Sequence, residues 1–248
     1  MSTSIKYHGI SFFEIEAQGR KILVDPCITA NRLCQIKVED VDRADIILVT
    51  HGAKDHMGDA IDIQKTTNAT IVCDPAVKVH ALRNGVTKDK VVSMLWGDLI
   101  NVDKVNIQAV ECRHISFFAS GDSYLSGLPL SFIIYPEEST RIYNIGDSSL
   151  FSDMKLIGEL YQPNICLVPV GGSPELTGGW AHLPPREASL CVQWIRPEIV
   201  IPTHFDPDSG EGVELAARVK GLAPGTKVIL LNPGDSFVFK PHEIPKIS

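Results

Sequence analysis

The fold of this chain is decided by residues 44–59, which read ADIILVTHGAKDHMGD. The first six residues form a mostly apolar run, and the next ten hold His51, Asp55 and His56. A short apolar run of this kind indicates a buried strand. Because imidazole and carboxylate groups are common metal ligands, the stretch predicts a strand that delivers ligands into the loop at its end. Ala53 lies between these residues and has no side-chain atom that can bind a metal.

The composition is that of an ordinary globular protein of 248 residues, with 44% hydrophobic and 21% charged residues. This length suits one large domain over residues 1–248. The net charge of −7 argues against a nucleic-acid partner, which requires a concentrated basic surface. No apolar run approaches the ~18 residues of a membrane span, and the N-terminus shows no secretory signal. We therefore expect a cytoplasmic protein without a membrane partner.

The predicted secondary structure differs between the two parts of the chain. The first part predicts mostly strand meanders, whereas the second alternates strand and helix. Two strand-rich halves with helices on their outer faces predict an α/β (α+β) fold, a four-layer αββα sandwich. Residues 115–128, which are rich in serine and glycine, are predicted to form a loop.

Three further residues with metal-binding side chains follow predicted strands. They are His114, Asp147 and His204, and each comes after an apolar run, as His51 does. A single histidine of this kind is more often an ordinary hydrogen-bonded residue than a metal ligand. Six such residues on matching strand ends reverse that preference, because strand ends from distant parts of a chain can converge on one cleft.

The ordered set of residues resembles the metallo-β-lactamase superfamily. The mark of that family is H-x-H-x-D-H, followed by a histidine, an aspartate and a last histidine, each after a strand. Here the motif reads HGAKDH over residues 51–56 and is followed by His114, Asp147 and His204. Residues 21–26 and 146–171 are similar to compact metal-dependent hydrolases near the L-ascorbate 6-phosphate lactonase-like branch. The resemblance covers nearly the whole chain and implies the metallo-β-lactamase fold.

The resemblance also implies two metal sites that share one aspartate. The implied ligands are His51, His114 and Asp147 for the first metal, and Asp55, His56, Asp147 and His204 for the second. The second site is complete in this chain. In the first site, Ala53 stands where the family has a further histidine. Three consequences stay open: one metal at the complete site, two metals with water, Cys112 or another group filling the gap, or a fold kept for binding without catalysis.

The expected chemistry is hydrolysis by a metal-bound hydroxide, because a divalent metal lowers the pKa of bound water from ~15.7 to about 7. Asp55 is the natural candidate for the base, as a ligand or as a group that orients and deprotonates the water. The mixture of imidazole and carboxylate suits Zn²⁺ best, and Mn²⁺ or Fe²⁺ stays open. We expect a small-molecule substrate with a lactone, ester, amide or phosphoester bond.

Several residues near the expected cleft have two interpretations. His182, just before a predicted helix, is a candidate for substrate binding or acid catalysis, or else an ordinary loop histidine. Lys54 is either a solvated loop residue or a group that binds an anionic substrate. Ile10 stands where many members of the family place a histidine, so that edge of the pocket is more apolar. The aromatic residues of the two loops expected at the mouth either line an apolar pocket, pack against the core or form a subunit interface. They are Phe117, Phe118, Tyr124 and Trp180.

The rival function is a non-catalytic member of the same fold, for example the partner subunit of an active paralogue in a hetero-oligomer. The alanine at position 53 is the feature that favours this rival. A nuclease is disfavoured by the acidic charge, and a redox enzyme by the lack of an appended flavin or iron–sulfur module. Homo-oligomers and hetero-oligomers both stay open.

Overall fold

The computed structural model describes residues 2–171 and 182–241. Within these residues, seven strands form a first sheet: β1 (Thr3–Tyr7), β2 (Phe13–Ala17), β3 (Arg20–Val24), β4 (Ile46–Leu48), β5 (Thr70–Cys73), β6 (Val91–Ser93) and β16 (Ser236–Phe239). Their order across the sheet is β16-β1-β2-β3-β4-β5-β6. The pairs from β3 to β6 are parallel, and the pairs from β16 to β3 are antiparallel.

A second sheet in the described chain also has seven strands: β7 (Leu99–Val102), β8 (Val105–Glu111), β11 (Leu130–Glu137), β12 (Thr140–Asn144), β13 (Ile165–Pro169), β14 (Ile199–Thr203) and β15 (Lys227–Val228). Their order is β15-β14-β13-β12-β11-β8-β7. The pairs from β12 to β15 are parallel. Each sheet therefore has one parallel half and one antiparallel half.

The helices of the described chain are α1 (Ala60–Thr67), α2 (Pro75–Arg83), α3 (Met154–Tyr161), α4 (Pro185–Ile195) and α5 (Glu211–Leu222). Short 3₁₀ turns occur at Val38–Asp40, Lys88–Lys90 and Pro207–Ser209. Helix α2 begins where a helix start signal predicts it, because Pro75 follows Asp74, whose carboxylate accepts hydrogen bonds from two backbone amides of the first turn. None of the described helices is long and apolar enough to cross a membrane.

Three apolar clusters show how the layers pack. The central cluster lies between the sheets and joins side chains such as Leu48 of the first sheet with Phe132 of the second. A second cluster packs the outer face of the first sheet, including Ile47, against α1 and α2. A third packs the outer face of the second sheet, including Tyr143, against α3, α4 and α5. The predicted four-layer αββα sandwich is therefore confirmed. Strand β4 is buried on both faces, as is usual for parallel strands.

The structure corrects the expected loop at residues 115–128. These residues contain a two-stranded hairpin of β9 (Ser116–Ser120) and β10 (Ser123–Gly127). The two residues between the strands are Gly121 and Asp122, and Gly121 has φ +61°, which a glycine adopts without strain. A Gly-Asp pair between two such runs is a known hairpin signal. The serines concealed it, because they flank adjacent apolar residues in both strands and so remove the usual alternation of apolar and polar side chains.

Candidate metal centre

The candidate site lies where strands of both sheets end. His51 follows β4 of the first sheet, whereas Asp147 and His204 follow β12 and β14 of the second. His114 follows β8. Gly146 has φ +63°, and a Cβ atom there would lie 3.3 Å from Thr50 Cγ2, so glycine allows the chain to turn Asp147 into the cleft. Ligand sites in α/β sheets commonly form at the carboxyl ends of strands.

The structure brings all six predicted metal ligands together in two groups. Asp55, His56, Asp147 and His204 form what we term the four-ligand group, and His51, His114 and Asp147 form the three-ligand group. Within each group, the potential ligand atoms all lie within 4.8 Å of one another. Asp147 belongs to both groups, which is the position the resemblance implies for a bridging carboxylate. Their role as ligands stays a prediction.

Asp147 Oδ2 is the centre of the arrangement. It lies 2.9 Å from His56 Nε2, 3.5 Å from His204 Nε2 and 4.0 Å from His114 Nε2. His204 Nε2 also lies 3.2 Å from Asp55 Oδ2. The short contact with His56 lacks the geometry of a hydrogen bond.

The buried histidines of the site fit a cation. Nε2 of His51 and Nε2 of His56 are buried, and neither makes a hydrogen bond within the described chain. Buried polar atoms are normally paired, so two unpaired ring nitrogens beside one carboxylate call for a partner. A divalent metal is the partner that accepts lone pairs from imidazole and carboxylate together. The donor set therefore fits a metal ion.

A buried carboxylate fixes which nitrogen of His56 carries the proton. Asp25 accepts hydrogen bonds from Thr50 N at 2.8 Å and from Thr50 Oγ1 at 2.9 Å. Its Oδ2 also lies 3.0 Å from His56 Nδ1. Because a carboxylate only accepts, Nδ1 of His56 must donate, which leaves Nε2 for the site.

The hydroxyl of Thr50 acts in the same way on the second histidine. Its proton is directed to Asp25, so Oγ1 accepts from His51 Nδ1, 3.1 Å away. Nε2 of His51 is then the atom with a free lone pair. Asp25 and Thr50 together fix the tautomers of both histidines. Reasoning from the sequence assigned no role to Asp25 or Thr50. The available signal was that Asp25 directly follows β3, the parallel neighbour of β4.

The electrostatics of the four-ligand group favour protonated histidines beside ionised carboxylates. Burial acts to lower the pKa of His56, but Asp147 and Asp25 outweigh it and raise that pKa well above its ordinary value. The pKa of His204 is likewise raised, against the effect of burial, mainly by Asp147. Burial acts to raise the pKa of Asp147, yet the neighbouring histidines hold it well below the ordinary value. The pKa of Asp55 is lowered for the same reason, chiefly by its hydrogen bond with His204.

The histidines of the three-ligand group are neutral by contrast. Complete burial, followed by the charge of His56, lowers the pKa of His51 well below its ordinary value. Burial also lowers the pKa of His114. Both side chains can therefore offer a lone pair at neutral pH without releasing a proton.

The structure places Ala53 on the wall of the same cavity as the ligands, and it places Lys54 elsewhere. Lys54 is exposed and does not line the cavity. Cys112 is buried and belongs to neither ligand group among the described residues. The alternative in which this thiol fills the gap near Ala53 therefore finds no support in the geometry.

His182 lies inside the site rather than at its rim. It is buried, and its Nδ1 lies 3.6 Å from Asp147 Oδ2 without a hydrogen-bond partner in the described chain. Its ring lies 4.2 Å from that of His204 and 5.7 Å from that of His114, measured between centroids. Burial lowers the pKa of His182 to about 4; the charge of Asp147 opposes this shift, and the neighbouring histidines add to it. Substrate binding by this neutral imidazole stays a prediction.

A cavity of about 590 Å³ opens above the ligands. Its wall combines the site residues with apolar side chains: Ile10, Leu33, Ile115, Phe117 and Phe205. Arg32 and Asp206 also line it and form an ion pair with each other. The cavity joins loops from both halves of the chain.

The predicted mouth aromatics have different roles in the structure. Phe117 lines the cavity, and Tyr124 stacks on it with ring centroids 5.1 Å apart. Phe118 instead packs over Gly52, where any Cβ atom would lie 2.0 Å from Phe118 Cδ1. Trp180 lies outside the described residues. Only one of the three described aromatics therefore contributes to the wall of the cavity.

Comparison with known proteins agrees with the geometry. A family model described as the β-lactamase superfamily domain matches residues 20–205. A UPF0173 metal-dependent hydrolase of Methanopyrus kandleri is 36% identical over 237 residues, which cover 94% of this chain and 98% of the relative. A UPF0173 metal-dependent hydrolase of Methanosarcina barkeri is 37% identical over 240 residues, covering 95% and 98%. Among solved structures, Igni18, a metallo hydrolase of Ignicoccus hospitalis, is 28% identical with a TM-score of 0.82, covering 97% and 99%.

Proposed function

Because the chain belongs to the metallo-β-lactamase superfamily, and within it to the UPF0173 metal-dependent hydrolase family, we propose that it hydrolyses a small molecule at this centre. The observation that carries the proposal is the pair of unpaired, buried Nε2 atoms of His51 and His56 beside the shared carboxylate of Asp147. Such an arrangement is costly unless a cation, either a proton or a metal ion, lies between the ring nitrogens and the carboxylate.

The four-ligand group is the resident metal site in this proposal. It offers two imidazole nitrogens and two carboxylates, a donor set that suits Zn²⁺ first and Mn²⁺ or Fe²⁺ next. The three-ligand group binds a second ion more weakly, because Ala53 supplies no ligand. A site with three protein ligands and an open position is typical of catalytic metal centres.

The chemistry that a bound divalent ion supplies is a lowered water pKa, to about 7, and polarisation of the bond under attack. Asp55, whose side chain is 42% exposed, lies at the cavity, where it would either bind the metal or orient and deprotonate the attacking water. His182, neutral and beside Asp147, is positioned to contact the substrate. Asp25 and Thr50 hold the two ring tautomers throughout.

The bond cleaved belongs to a lactone, ester, amide or phosphoester. The similarity that residues 21–26 and 146–171 suggest to the L-ascorbate 6-phosphate lactonase-like branch supports testing lactones first. The metal-bound state and its activity are expected to appear and disappear together, since the same residues serve both.

The test is elemental analysis of protein purified without added metal or chelator, followed by hydrolysis assays on lactones, esters, amides and phosphoesters. We expect about one equivalent of metal per chain or more, and activity that a chelator removes and added metal restores. His56→Ala should lose the tightly bound equivalent and the activity, whereas the control Lys54→Ala, on the same loop but outside the cavity, should keep both. A metal content near zero that added metal cannot raise would favour the non-catalytic partner subunit instead.

A further inference from the structure

We propose that the cavity above the metal centre binds an uncharged, apolar portion of the substrate, an alkyl or aryl group next to the bond that is cleaved. This inference rests on the proposed hydrolase function and deepens it. It concerns the part of the substrate that does not react, which lies against the cavity wall rather than against the metal.

The wall opposite the ligands is apolar. Ile10, Leu33, Ile115, Phe117 and Phe205 reach the cavity from four separate segments of the chain. Ile115 and Phe117 remain 55% and 53% exposed, so their apolar surface is still open to a ligand. Burial of apolar surface is the main contribution to binding in small-molecule pockets.

Ile10 adds an observation that packing alone does not explain. Its φ is +52°, a conformation that is strained for a β-branched residue and easy for glycine. The turn is held through its backbone, since Ile10 O accepts hydrogen bonds from His204 N at 2.8 Å and from Tyr7 Oη at 3.2 Å. Any residue could supply that carbonyl. The isoleucine side chain instead lines the cavity, so the strain is associated with an apolar contact at the site.

The charges around the cavity disfavour an anionic group at this position. Among the described residues that line it, Arg32 is the one lysine or arginine, and its guanidinium already pairs with Asp206. Glu211 adds a further carboxylate to the wall. The sequence of residues 172–181 contains no lysine or arginine. A carboxylate or phosphate on the far part of a substrate would therefore meet acidic groups without an unpaired cation among the described lining residues.

The part of the apolar wall that carries Phe117 is tied to neighbouring elements by hydrogen bonds. Ser116, at the start of β9, donates to Asp74 Oδ2 at 2.7 Å and accepts from Gly52 N at 3.0 Å. At the other end of β9, Ser120 Oγ lies 2.9 Å from His80 Nδ1 and accepts from Arg83 Nη1 at 3.2 Å. The hairpin is thus tied to the ligand loop at one end and to α2 at the other. A preformed wall avoids the cost of ordering it on binding.

The test uses three probes that share one metal-binding group and differ in the remainder: acetohydroxamic, benzohydroxamic and 4-carboxybenzohydroxamic acid. Titration calorimetry on the full chain loaded with Zn²⁺ should show benzohydroxamic acid binding about tenfold tighter than acetohydroxamic acid, since a buried ring adds apolar contact. The added carboxylate should remove most of that gain. Equal affinities, or tightest binding of the carboxylated probe, would overturn the inference.

Substitutions in the apolar cavity wall test whether that wall causes the preference for the benzoyl probe. Phe117→Ala should lower the ratio of benzohydroxamic to acetohydroxamic affinity by about fivefold. Leu99→Ala, a matched control on β7 that is 61% exposed and outside the cavity, should leave the ratio unchanged. Ile10→Gly should lower the ratio while the midpoint of thermal unfolding stays the same or rises, because the strain is relieved. A ratio unaffected by both Phe117→Ala and Ile10→Gly would also overturn the inference.

The outcomes separate this inference from the function on which it rests. If the chain holds metal and binds all three probes equally, only the apolar preference fails. If metal-loaded protein binds none of the probes, the centre is closed to ligands, and the hydrolase proposal fails together with the inference.

Discussion

The four-ligand group and the three-ligand group share Asp147 and lie in one cavity, but they differ in charge and in readiness to bind a metal. The four-ligand group combines two carboxylates with histidines whose pKa values are raised. The three-ligand group combines the shared carboxylate with histidines whose pKa values are lowered. The first group is therefore strongly attractive to cations but occupied by protons, whereas the second is free of protons but short of one ligand.

The difference arises from where the carboxylates lie. Asp25 and Asp147 flank His56 on both sides, at 3.0 Å and 2.9 Å, so their charges act on one imidazole. His51 faces only a threonine hydroxyl at its Nδ1 and is completely buried. Two histidines five residues apart in one loop thus acquire opposite shifts in pKa. The comparison teaches that the surroundings of a ligand, and not its identity, set its proton affinity.

The largest expected effect is on metal content. It distinguishes Asp147, which belongs to both groups, from His114, which belongs to one. Asp147→Ala removes a ligand from both groups, so metal content should fall to background and kcat by about 10³-fold or more. His114→Ala affects only the three-ligand group and should keep about one tightly bound equivalent. Elemental analysis after dialysis measures both, with Asp147→Asn as an isosteric check on folding. Complete loss of metal from His114→Ala would show that the two groups are not separable.

The second prediction tests whether the three-ligand group binds metal weakly only because it lacks one ligand. Ala53→His places an imidazole on the cavity wall and should strengthen binding of a second equivalent by roughly 100-fold, because a fourth protein ligand closes the coordination shell. Lys54→His is the matched control, since it adds the same side chain one residue further along, outside the cavity. Competition with a chromophoric chelator gives the affinities. The same gain in both variants would contradict the assignment of the gap to position 53.

The third prediction concerns the residues that orient the rings. Asp25→Asn should weaken metal binding by about 10–100-fold, because its amide no longer fixes the proton on Nδ1 of His56. Thr50→Val should weaken both groups, whereas Thr50→Ser keeps the hydroxyl and should bind as the parent chain does. Nitrogen NMR of labelled imidazoles reports the tautomers directly. Unchanged tautomers and affinities in Asp25→Asn would rule out this orienting role.

The smallest expected effect is a difference in pH dependence. Because the pKa of His56 is raised, this imidazole keeps its proton at neutral pH and must release it when a metal binds. Metal affinity of the four-ligand group, isolated in His114→Ala, should therefore rise with pH by about tenfold per unit for each proton released. The three-ligand group, isolated in His56→Ala, should show little change across the same range, since the pKa of His51 is lowered. Calorimetry in buffers of different ionisation enthalpy counts the protons, and equal release from both groups would contradict the comparison.

Much of the architecture could be predicted because its signals are local. The apolar run before His51 and the alternation of strand and helix in the second part are periodic patterns that report burial and backbone conformation. The residues at strand ends could be collected as candidate ligands for the same reason. The hairpin of β9 and β10 was missed although Gly121 and Asp122 mark its turn, because serine-rich strands do not show the usual alternation.

The sequence by itself determined the sandwich, the family and the six residues that form the candidate centre. Only the tertiary structure decided that Asp25 lies against His56 and that Ile10 adopts a strained turn beside His204. It also decided that Arg32 pairs with Asp206, a residue 174 positions away. The physical reason is that side-chain periodicity depends on residues that are neighbours in the sequence. Distances between strand ends depend instead on how the two sheets pack. Charge, tautomer and cavity shape follow from those distances.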